Sequence, residues 1–487
     1  MFTLSERELV FFVLTVTIGL FILINNRINS SRETREVRFF SWLRLIDLIL
    51  PCIVILSFLL FGVQFSFVNT FLLPLSSLLI YIYLSRLIKR KKEKKLENDD
   101  SLKADTHSNE TIDISSIPDQ DIQTIKSIFS IDTFFSTEAV LYEGGVIFKG
   151  NLRGDSDTTH KLLSNKLQTQ FSGKYCLFLV EGTEEKPVVI VLPNINDSKS
   201  MTILQKNLAI VLFLATIVTS LERTSNLLGF DIFNNWNRYQ EIIPITLALW
   251  MILVFHEVGH YLVANFYGIK LSWPFFLPIW EFSSFGAITR FESLIPNRKT
   301  LFDISLAGPV FGGILSILFL ISGLILSHSG SLLQITTQSF QKSILIGILA
   351  KVILGEQLQN SIISINPLVI VGWLGLVITA LNLMPAGQLD GGRIIQAIYG
   401  RDTAKKSTVI TLVILGIITI FNPNNLIPLY WIMVILFLQR DIGKPSLNEL
   451  TEPNDIRAIC ALASMLIVLL VLIPLNPLLA VKIGIGG

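Results

Sequence analysis

The stretch Trp250-Met251-Ile252-Leu253-Val254-Phe255-His256-Glu257-Val258-Gly259-His260-Tyr261-Leu262 places ionisable side chains inside a continuous apolar segment. The apolar character runs from 242 to 264, which is long enough for a membrane-spanning helix of about 20 residues. Burying ionisable groups in such a helix is costly unless they pair, bind a metal or face a cavity. The segment therefore predicts a membrane helix with a functional site inside it.

The spacing of His256 and His260 is that of two metal ligands on one helix. Residues i and i+4 share a face, so both imidazoles can reach one tetrahedral Zn²⁺. Glu257 lies one step round the helix, where it can act as general base on a water molecule. The alternative is a pair of core histidines with ordinary hydrogen bonds. The chain has only five histidines, which makes a chance match to this pattern rare.

The composition is that of a membrane protein. Of 487 residues, 51% are hydrophobic and 16% are charged, a balance unlike that of soluble domains. The net charge of +2 gives no reason to expect a nucleic-acid partner. We expect the lipid bilayer to be a partner, and nothing in the composition indicates an oligomeric state.

Apolar runs of spanning length recur along the chain and predict a polytopic α-helical membrane protein with about ten transmembrane helices. They lie near residues 9–25, 45–63, 67–88, 204–221, 242–264, 303–326, 367–384, 406–421, 425–439 and 457–475. Basic residues concentrate in the connections on one side, which predicts that those connections face the cytoplasm or stroma and that both termini lie outside. These basic segments are 27–44, 86–95, 270–299, 393–406 and 440–457.

A small soluble α/β domain is predicted between the third and fourth helices. Helical spacing of apolar residues at 122–129 and 162–171 alternates with strand-like runs at 139–142, 146–148, 175–180 and 188–192. The domain organisation expected from these patterns is N-terminal transmembrane helices at 1–88, a charged disordered linker at 89–116, the α/β domain at 117–200, a membrane-embedded core at 201–445, and a C-terminal transmembrane helix and tail at 446–487.

A third metal ligand is needed, because a hydrolytic zinc site has three protein ligands and a water molecule. By position, His107 falls in the linker, His160 in the α/β domain and His328 in a loop on the opposite side of the membrane. Carboxylates remain as possible third ligands. Asp390 is the best candidate because it follows a predicted span that ends on the same side of the membrane as the zinc helix. Pro385 and nearby glycines let the chain turn back there, although an ordinary glycine-rich loop explains this stretch equally well.

These motifs resemble the site-2 protease family of intramembrane metalloproteases. His256 to His260 is similar to the family's zinc helix, and Ala307-Gly308-Pro309 is similar to its Ala-Gly-Pro element. The stretch from Asn382 through Pro385 to Asp390-Gly391 resembles the element whose Asp supplies the third zinc ligand. The resemblance thus implies Asp390 rather than Asp303, Glu281 or Glu292. Asn382 is a candidate for binding the oxyanion or substrate, and capping the end of its helix is an equal alternative.

Gly150-Asn151-Leu152-Arg153-Gly154 resembles an element of one branch of that family, the ethylene-dependent gravitropism-deficient and yellow-green-like proteases of chloroplasts and cyanobacteria. The branch implies a cyanobacterial plasma or thylakoid membrane, or a plastid membrane. A strand end that enters a glycine turn explains the same residues, so no chemistry is assigned to them.

The expected activity is zinc-dependent hydrolysis of a peptide bond within or near a transmembrane segment of a membrane protein substrate. About 15 Å of helix is expected between His260 and Lys270, which puts the site at membrane depth. The segment 273–291 resembles the family's membrane-embedded hairpin, which holds an extended substrate. A metal-binding transporter or a non-catalytic membrane chaperone on the same helices is the alternative, and neither needs Glu257 as a base.

Overall fold

The computed structural model describes residues 117–485, apart from 143–144, 183–185, 195–200, 280–282, 423–424, 426, 439–442 and 444. The predicted spans at 9–25, 45–63 and 67–88 and the linker at 89–116 lie outside the described residues. The total of about ten spans, and the position of the α/β domain between the third and fourth, therefore stay predictions.

The predicted α/β region is present. It has two helices, α1 (Asp119–Ile128) and α2 (Ser156–Phe171), and four strands, β1 (Phe134–Tyr142), β2 (Gly145–Leu152), β3 (Tyr175–Glu181) and β4 (Pro187–Pro193). The strands form one antiparallel sheet in the order β1-β2-β4-β3. Apolar residues from the sheet and both helices form its core, including Ile125, Phe134, Phe148, Leu163 and Leu179.

The Gly-Asn-Leu-Arg-Gly element at 150–154 spans the end of β2 and the turn before α2. A Cβ at Gly150 would overlap the backbone of Phe135 on the neighbouring strand, and one at Gly154 would lie 2.7 Å from Thr159 Oγ1. Asp155 then caps α2 by accepting a hydrogen bond from the Thr158 amide at 3.1 Å. Close backbone packing and a helix cap account for this element.

The remaining helices form the apolar part of the chain. They are α3 (Ile203–Leu227), α4 (Tyr239–Phe266), α5 (Arg298–Ile325), α6 (Ile344–Leu354), α7 (Pro367–Asn382), α8 (Asp390–Phe421), α9 (Ile427–Leu438), α10 (Asp455–Leu472) and α11 (Pro477–Lys482). Among the described residues, five helices are long and apolar enough to cross a membrane: α3, α4, α5, α8 and α10. The helices α7 and α9 are apolar but shorter. Each apolar segment predicted between 204 and 475 contains one of these helices.

Two helix boundaries and one additional helix differ from the sequence prediction. The helix α8 begins at Asp390, although 393–406 was expected to be a basic loop, and a left-handed Gly400 (φ 83°) interrupts it. Charge suggested a loop, but Arg393 is buried with a hydrogen-bond partner. The helix α4 ends at Phe266, so about 9 Å of helix follows His260 rather than the expected 15 Å. The short helix α6 was not anticipated.

Among the described residues, two antiparallel sheets of two strands each lie between the helices. The first pairs β5 (Phe275–Ile279) with β6 (Ser283–Ile288) and occupies the segment expected to form the membrane-embedded hairpin. It packs against α3, where Thr219 Oγ1 donates to the Ser283 carbonyl at 2.7 Å. The second pairs β7 (Leu333–Thr336) with β8 (Ile362–Ile365), and α6 lies between its strands in sequence.

A segment at 446–451, called the strap here, links the α/β region to the start of α5. The Leu447 carbonyl accepts from the Leu179 amide of β3 at 2.7 Å, and the Leu179 carbonyl accepts from the Glu449 amide at 2.9 Å. On its other side the Leu447 amide donates to the Ile295 carbonyl at 2.8 Å. The strap therefore extends the open edge of the sheet and continues it toward α5.

Candidate metal centre

His256, His260 and Asp390 converge at one point between α4 and the first turn of α8. The Nε2 atom of His256 lies 3.2 Å from Asp390 Oδ2 and 3.2 Å from His260 Nε2. His260 Nε2 lies 3.4 Å from the same Asp390 oxygen. All three residues are buried, and one donor atom from each lies within 4.8 Å of the others. The structure thus brings together the two histidines and the carboxylate that the sequence had singled out.

The three distances fit a tetrahedral zinc ion. Zinc bonds of about 2.1 Å place neighbouring ligand atoms about 3.4 Å apart at tetrahedral angles, close to the separations of 3.2 to 3.4 Å between these donors. Without a cation, three converging polar atoms at this depth would be poorly compensated. Nitrogen and carboxylate oxygen are also the donors that zinc accepts in hydrolytic sites.

A hydrogen bond from the second ring nitrogen, Nδ1, fixes the orientation of the His260 ring. Nδ1 donates a hydrogen bond to the Ile304 carbonyl on α5 at 2.7 Å. This bond puts the proton on Nδ1 and leaves the lone pair of Nε2 directed at the centre.

Glycines let α5 pass directly against these rings. A Cβ at Gly308 would lie 2.6 Å from both Cδ2 and Cε1 of His260, and one at Gly312 would lie 3.0 Å from His256 Cβ. Gly259 on α4 is equally close to α5, because a Cβ at this position would lie 2.7 Å from the Ala307 carbonyl oxygen. The Ala307-Gly308-Pro309 element therefore lets α5 pack closely against α4, and this packing holds the His260 ring in place.

Asp390 reaches the centre because the chain reverses between α7 and α8. Gly387 adopts the left-handed conformation (φ 52°) in this turn, and its amide donates to Thr408 Oγ1 at 2.8 Å. Gly391 packs against the Leu383 carbonyl with no room for a side chain. The resulting first turn of α8 carries Asp390 to the two histidines.

Glu257 lies beside the centre and lines a groove of about 710 Å³ between α3, α4 and β5. Its Oε2 accepts a hydrogen bond of 2.6 Å from Thr289 Oγ1, just beyond β6. The groove is mostly apolar, with Phe213, Val258 and Phe276 among its lining residues. A buried carboxylate at the base of a groove is positioned to act on a molecule bound there.

The other candidate ligands are bound elsewhere. Both carboxylate oxygens of Asp303 accept from Arg457, at 2.7 and 2.6 Å, and Glu292 accepts from the Met201 amide at 3.0 Å. His328 is exposed and accepts from the Gly330 amide. Glu281 and His107 lie outside the described residues.

His160 and Asn382 each have a structural partner. His160 lies in the α/β region with Nε2 3.3 Å from the Leu177 carbonyl. Asn382 is buried at the end of α7, where its Nδ2 donates to the Phe285 carbonyl of β6 at 3.4 Å. Asn382 thus holds strand β6 of the β5–β6 hairpin, and its amide retains a second N–H.

Sequence reasoning did not identify Thr289 and Arg393 as parts of the site. Arg393 Nη2 donates to the Thr289 carbonyl at 2.8 Å, and its guanidinium lies 4.7 Å from the centre of the Phe291 ring. The sequence position of Arg393, one turn after Asp390, could have indicated that its side chain lies near the site. Nothing in the sequence around Thr289 indicated a role in the site, because its contact with Glu257 depends on the fold.

The fold and site together define a class: proteins with several helices long and apolar enough to cross a membrane, in which two histidines of a His-Glu-x-x-His helix and one carboxylate could hold a metal ion. Sequence comparison agrees, because the profile of Peptidase family M50 matches residues 244–422 and that of the EGY3 middle domain matches 123–199. The chain belongs to peptidase family M50, the site-2 protease family, and to its EGY-like branch.

Among similar proteins is the probable zinc metalloprotease EGY2, chloroplastic, of Oryza sativa subsp. indica, with 40% identity over 347 residues, 70% of this chain and 63% of that protein. The Arabidopsis thaliana EGY2 protein is 38% identical over 70% of this chain and 62% of its own length. Arabidopsis thaliana EGY1, also named a probable zinc metalloprotease, is 33% identical over 75% of this chain and 73% of its own length.

The chain spans about 63% of the length of the rice EGY2 relative that it matches. No solved structure matches it.

Proposed function

We propose that this protein is an intramembrane zinc metallopeptidase that hydrolyses a peptide bond within or near the transmembrane segment of a membrane protein. The observation that carries this proposal is the convergence of His256, His260 and Asp390 next to Glu257, which faces the groove. The names of the relatives, which call them probable zinc metalloproteases, support the same activity.

In this mechanism His256, His260 and Asp390 would hold Zn²⁺. When bound, zinc supplies the Lewis acid that polarises a carbonyl and acidifies a water molecule. Glu257 accepts the proton of the attacking water and returns it to the leaving amine as the peptide bond breaks. The second N–H of Asn382 is available to donate to the developing oxyanion or to the substrate backbone.

The groove supports a substrate that arrives from the lipid. Its lining residues Phe213, Val258 and Leu262 have exposed side chains on helices of membrane-spanning length. A transmembrane helix shields its carbonyls by internal hydrogen bonds, so the substrate must unwind locally before hydrolysis. The neighbouring strand β5, which contributes Phe276 to the lining, is placed to contact the unwound segment.

The relatives are named chloroplastic, and we place the protein in a plastid membrane, or in a plasma or thylakoid membrane if its source is a cyanobacterium. We also propose that the basic connections between helices face the cytoplasm or stroma. The proposed domains are residues 1–88, 89–116, 117–200, 201–445 and 446–487.

The decisive comparison is wild type against Glu257→Gln, with Glu241→Gln as the matched control. Glu241 lies on the same helix but is exposed and bound to Arg238. Each variant is reconstituted with a single-span membrane substrate, identified as a fragment that accumulates in membranes of cells carrying Glu257→Gln. We expect cleavage to be lost only in Glu257→Gln, with zinc content unchanged. Cleavage by Glu257→Gln at the wild-type rate would exclude the protease assignment.

A further inference from the structure

Thr289 makes a short hydrogen bond to the general base. Its Oγ1 donates to Glu257 Oε2 at 2.6 Å, and both side chains are buried. A hydrogen bond to a carboxylate is stronger than one between neutral groups, and low exposure strengthens it further. Among the described residues, Thr289 is the one side chain with a hydrogen bond to Glu257.

The backbone of Thr289 is itself held from the helix that carries the third ligand. Arg393 Nη2 donates to the Thr289 carbonyl at 2.8 Å, and Arg393 lies one turn beyond Asp390 on α8. Arg393 is 7% exposed, and its stacking on Phe291 restricts the guanidinium further. The hydroxyl position is therefore tied to the position of Asp390.

A second set of bonds fixes the next residue of this segment. The Arg290 amide donates to Ser272 Oγ at 2.9 Å, and the Arg290 carbonyl accepts from the Ser272 amide at 2.9 Å. Thr289 thus lies between two anchors, one on α8 and one at the beginning of the membrane hairpin. The segment cannot drift away from Glu257 without breaking several bonds.

We propose that Thr289 is a positioning residue for hydrolysis: its hydroxyl fixes one oxygen of Glu257 so that the other faces the attacking water. The inference rests on the function proposed above. A free Glu side chain samples several rotamers, and ordering it at each turnover would cost entropy. The base must also come within about 2.6 to 3.2 Å of the proton that it accepts. The Thr289 hydroxyl, held in place from α8, orders the Glu257 side chain and sets its position before the substrate binds.

The test compares Thr289→Val with Thr289→Ser. Valine has nearly the same shape but no hydroxyl, whereas serine keeps the hydroxyl. Thr246→Val is the matched control, because Thr246 is equally buried on α4 and, among the described residues, its hydroxyl bonds to that of Thr224, at 3.0 Å. All variants are measured as full-length protein on the single-span substrate. Zinc content and melting temperature are determined on the same samples.

We expect Thr289→Val to lower kcat about 10- to 100-fold, a part of the contribution that general bases make. KM and zinc content should stay within about twofold of wild type. Thr289→Ser should restore kcat to within a few fold, and Thr246→Val should leave it unchanged. A wild-type kcat in Thr289→Val would overturn the proposal. So would a loss of kcat accompanied by loss of zinc, or one that serine does not restore, because each indicates a purely structural role.

A binding measurement gives a readout without turnover. A peptide hydroxamate chelates the metal and presents a hydroxyl proton to Glu257, so its affinity reports the position of the carboxylate. We expect Thr289→Val to weaken this binding in wild-type background and to have no further effect in Glu257→Gln. Equal weakening in both backgrounds would contradict action through Glu257. Equal cleavage by wild type and Glu257→Gln refutes the protease function itself, whereas wild-type cleavage by Thr289→Val refutes only this role.

Discussion

Replacing Gly308 by alanine should remove His260 from the metal centre. The added Cβ would lie 2.6 Å from both Cδ2 and Cε1 of the ring, where carbon atoms ordinarily approach to about 3.5 to 4.0 Å. The ring or the helix must therefore shift by about 1 Å. His260 is 4% exposed and bonded to Ile304, so it has no space in which to turn without losing that bond.

A shift of this size is large for a metal site. Zinc ligands hold their distances to within about 0.2 Å, and losing even the partner that orients a ligand lowers metal affinity about 10- to 100-fold. We expect Gly308→Ala to weaken zinc binding by at least about 100-fold, or about 2.8 kcal/mol, and to abolish cleavage. Metal content after equilibration with graded chelator measures the affinity directly.

The same helix offers matched controls. A Cβ at Gly313 would have 3.6 Å to its nearest neighbour, Thr379 Cγ2, and one at Gly312 would lie 3.0 Å from His256 Cβ. Each substitution makes the same change in helix propensity, so only the local contact differs. Zinc affinity should fall in the order Gly313→Ala, Gly312→Ala, Gly308→Ala. A folded Gly308→Ala protein that binds zinc as tightly as Gly313→Ala would refute the reasoning.

Three further outcomes are expected. Asp390→Ala should lose stoichiometric zinc in elemental analysis while Asp303→Asn retains it, and full zinc in the Asp390 variant would remove that residue from the ligand set. Burial lowers the pKa of His160 below its ordinary 6.5, so only the unfolded state binds the proton as pH falls below that value. The free energy of unfolding should then decrease as the pH falls through this range, and His160→Gln should flatten this slope in thermal unfolding. Asn448 Nδ2 donates to the Asp157 carboxylate of α2 at 3.1 Å, so Asn448→Ala should loosen the strap and speed hydrogen exchange at the Leu179 amide, and unchanged exchange would show that the strap holds without that side chain.

The continuous apolar runs predicted the long apolar helices because a chain surrounded by lipid has few other conformations. A run such as 242–264 must satisfy its backbone polar groups internally, and a helix does so. The spacing from His256 to His260 predicted two side chains on one face for the same local reason. Strand and turn patterns in the α/β region were equally local, and the structure confirms that region.

The features that were missed depend on contacts between distant residues. The start of α8 was misplaced because Arg393 was treated as a loop cation, whereas it is buried against Thr289 and Phe291. No local pattern distinguishes Thr289 from any other threonine at the end of a strand. The end of α4 was placed too late because Gly268, with a left-handed φ of 68°, closes the helix before Lys270.

The strap sets an order of assembly during synthesis. The edge of β3 receives its last hydrogen-bonded neighbour from residues 447–449, which leave the ribosome only after the zinc helix and Asp390. Until then, the nascent α/β region presents an open strand edge, which other chains can pair with. Completion of the sheet thus coincides with arrival of the chain beyond α9, so a truncated product would carry an exposed edge for quality-control factors to recognise.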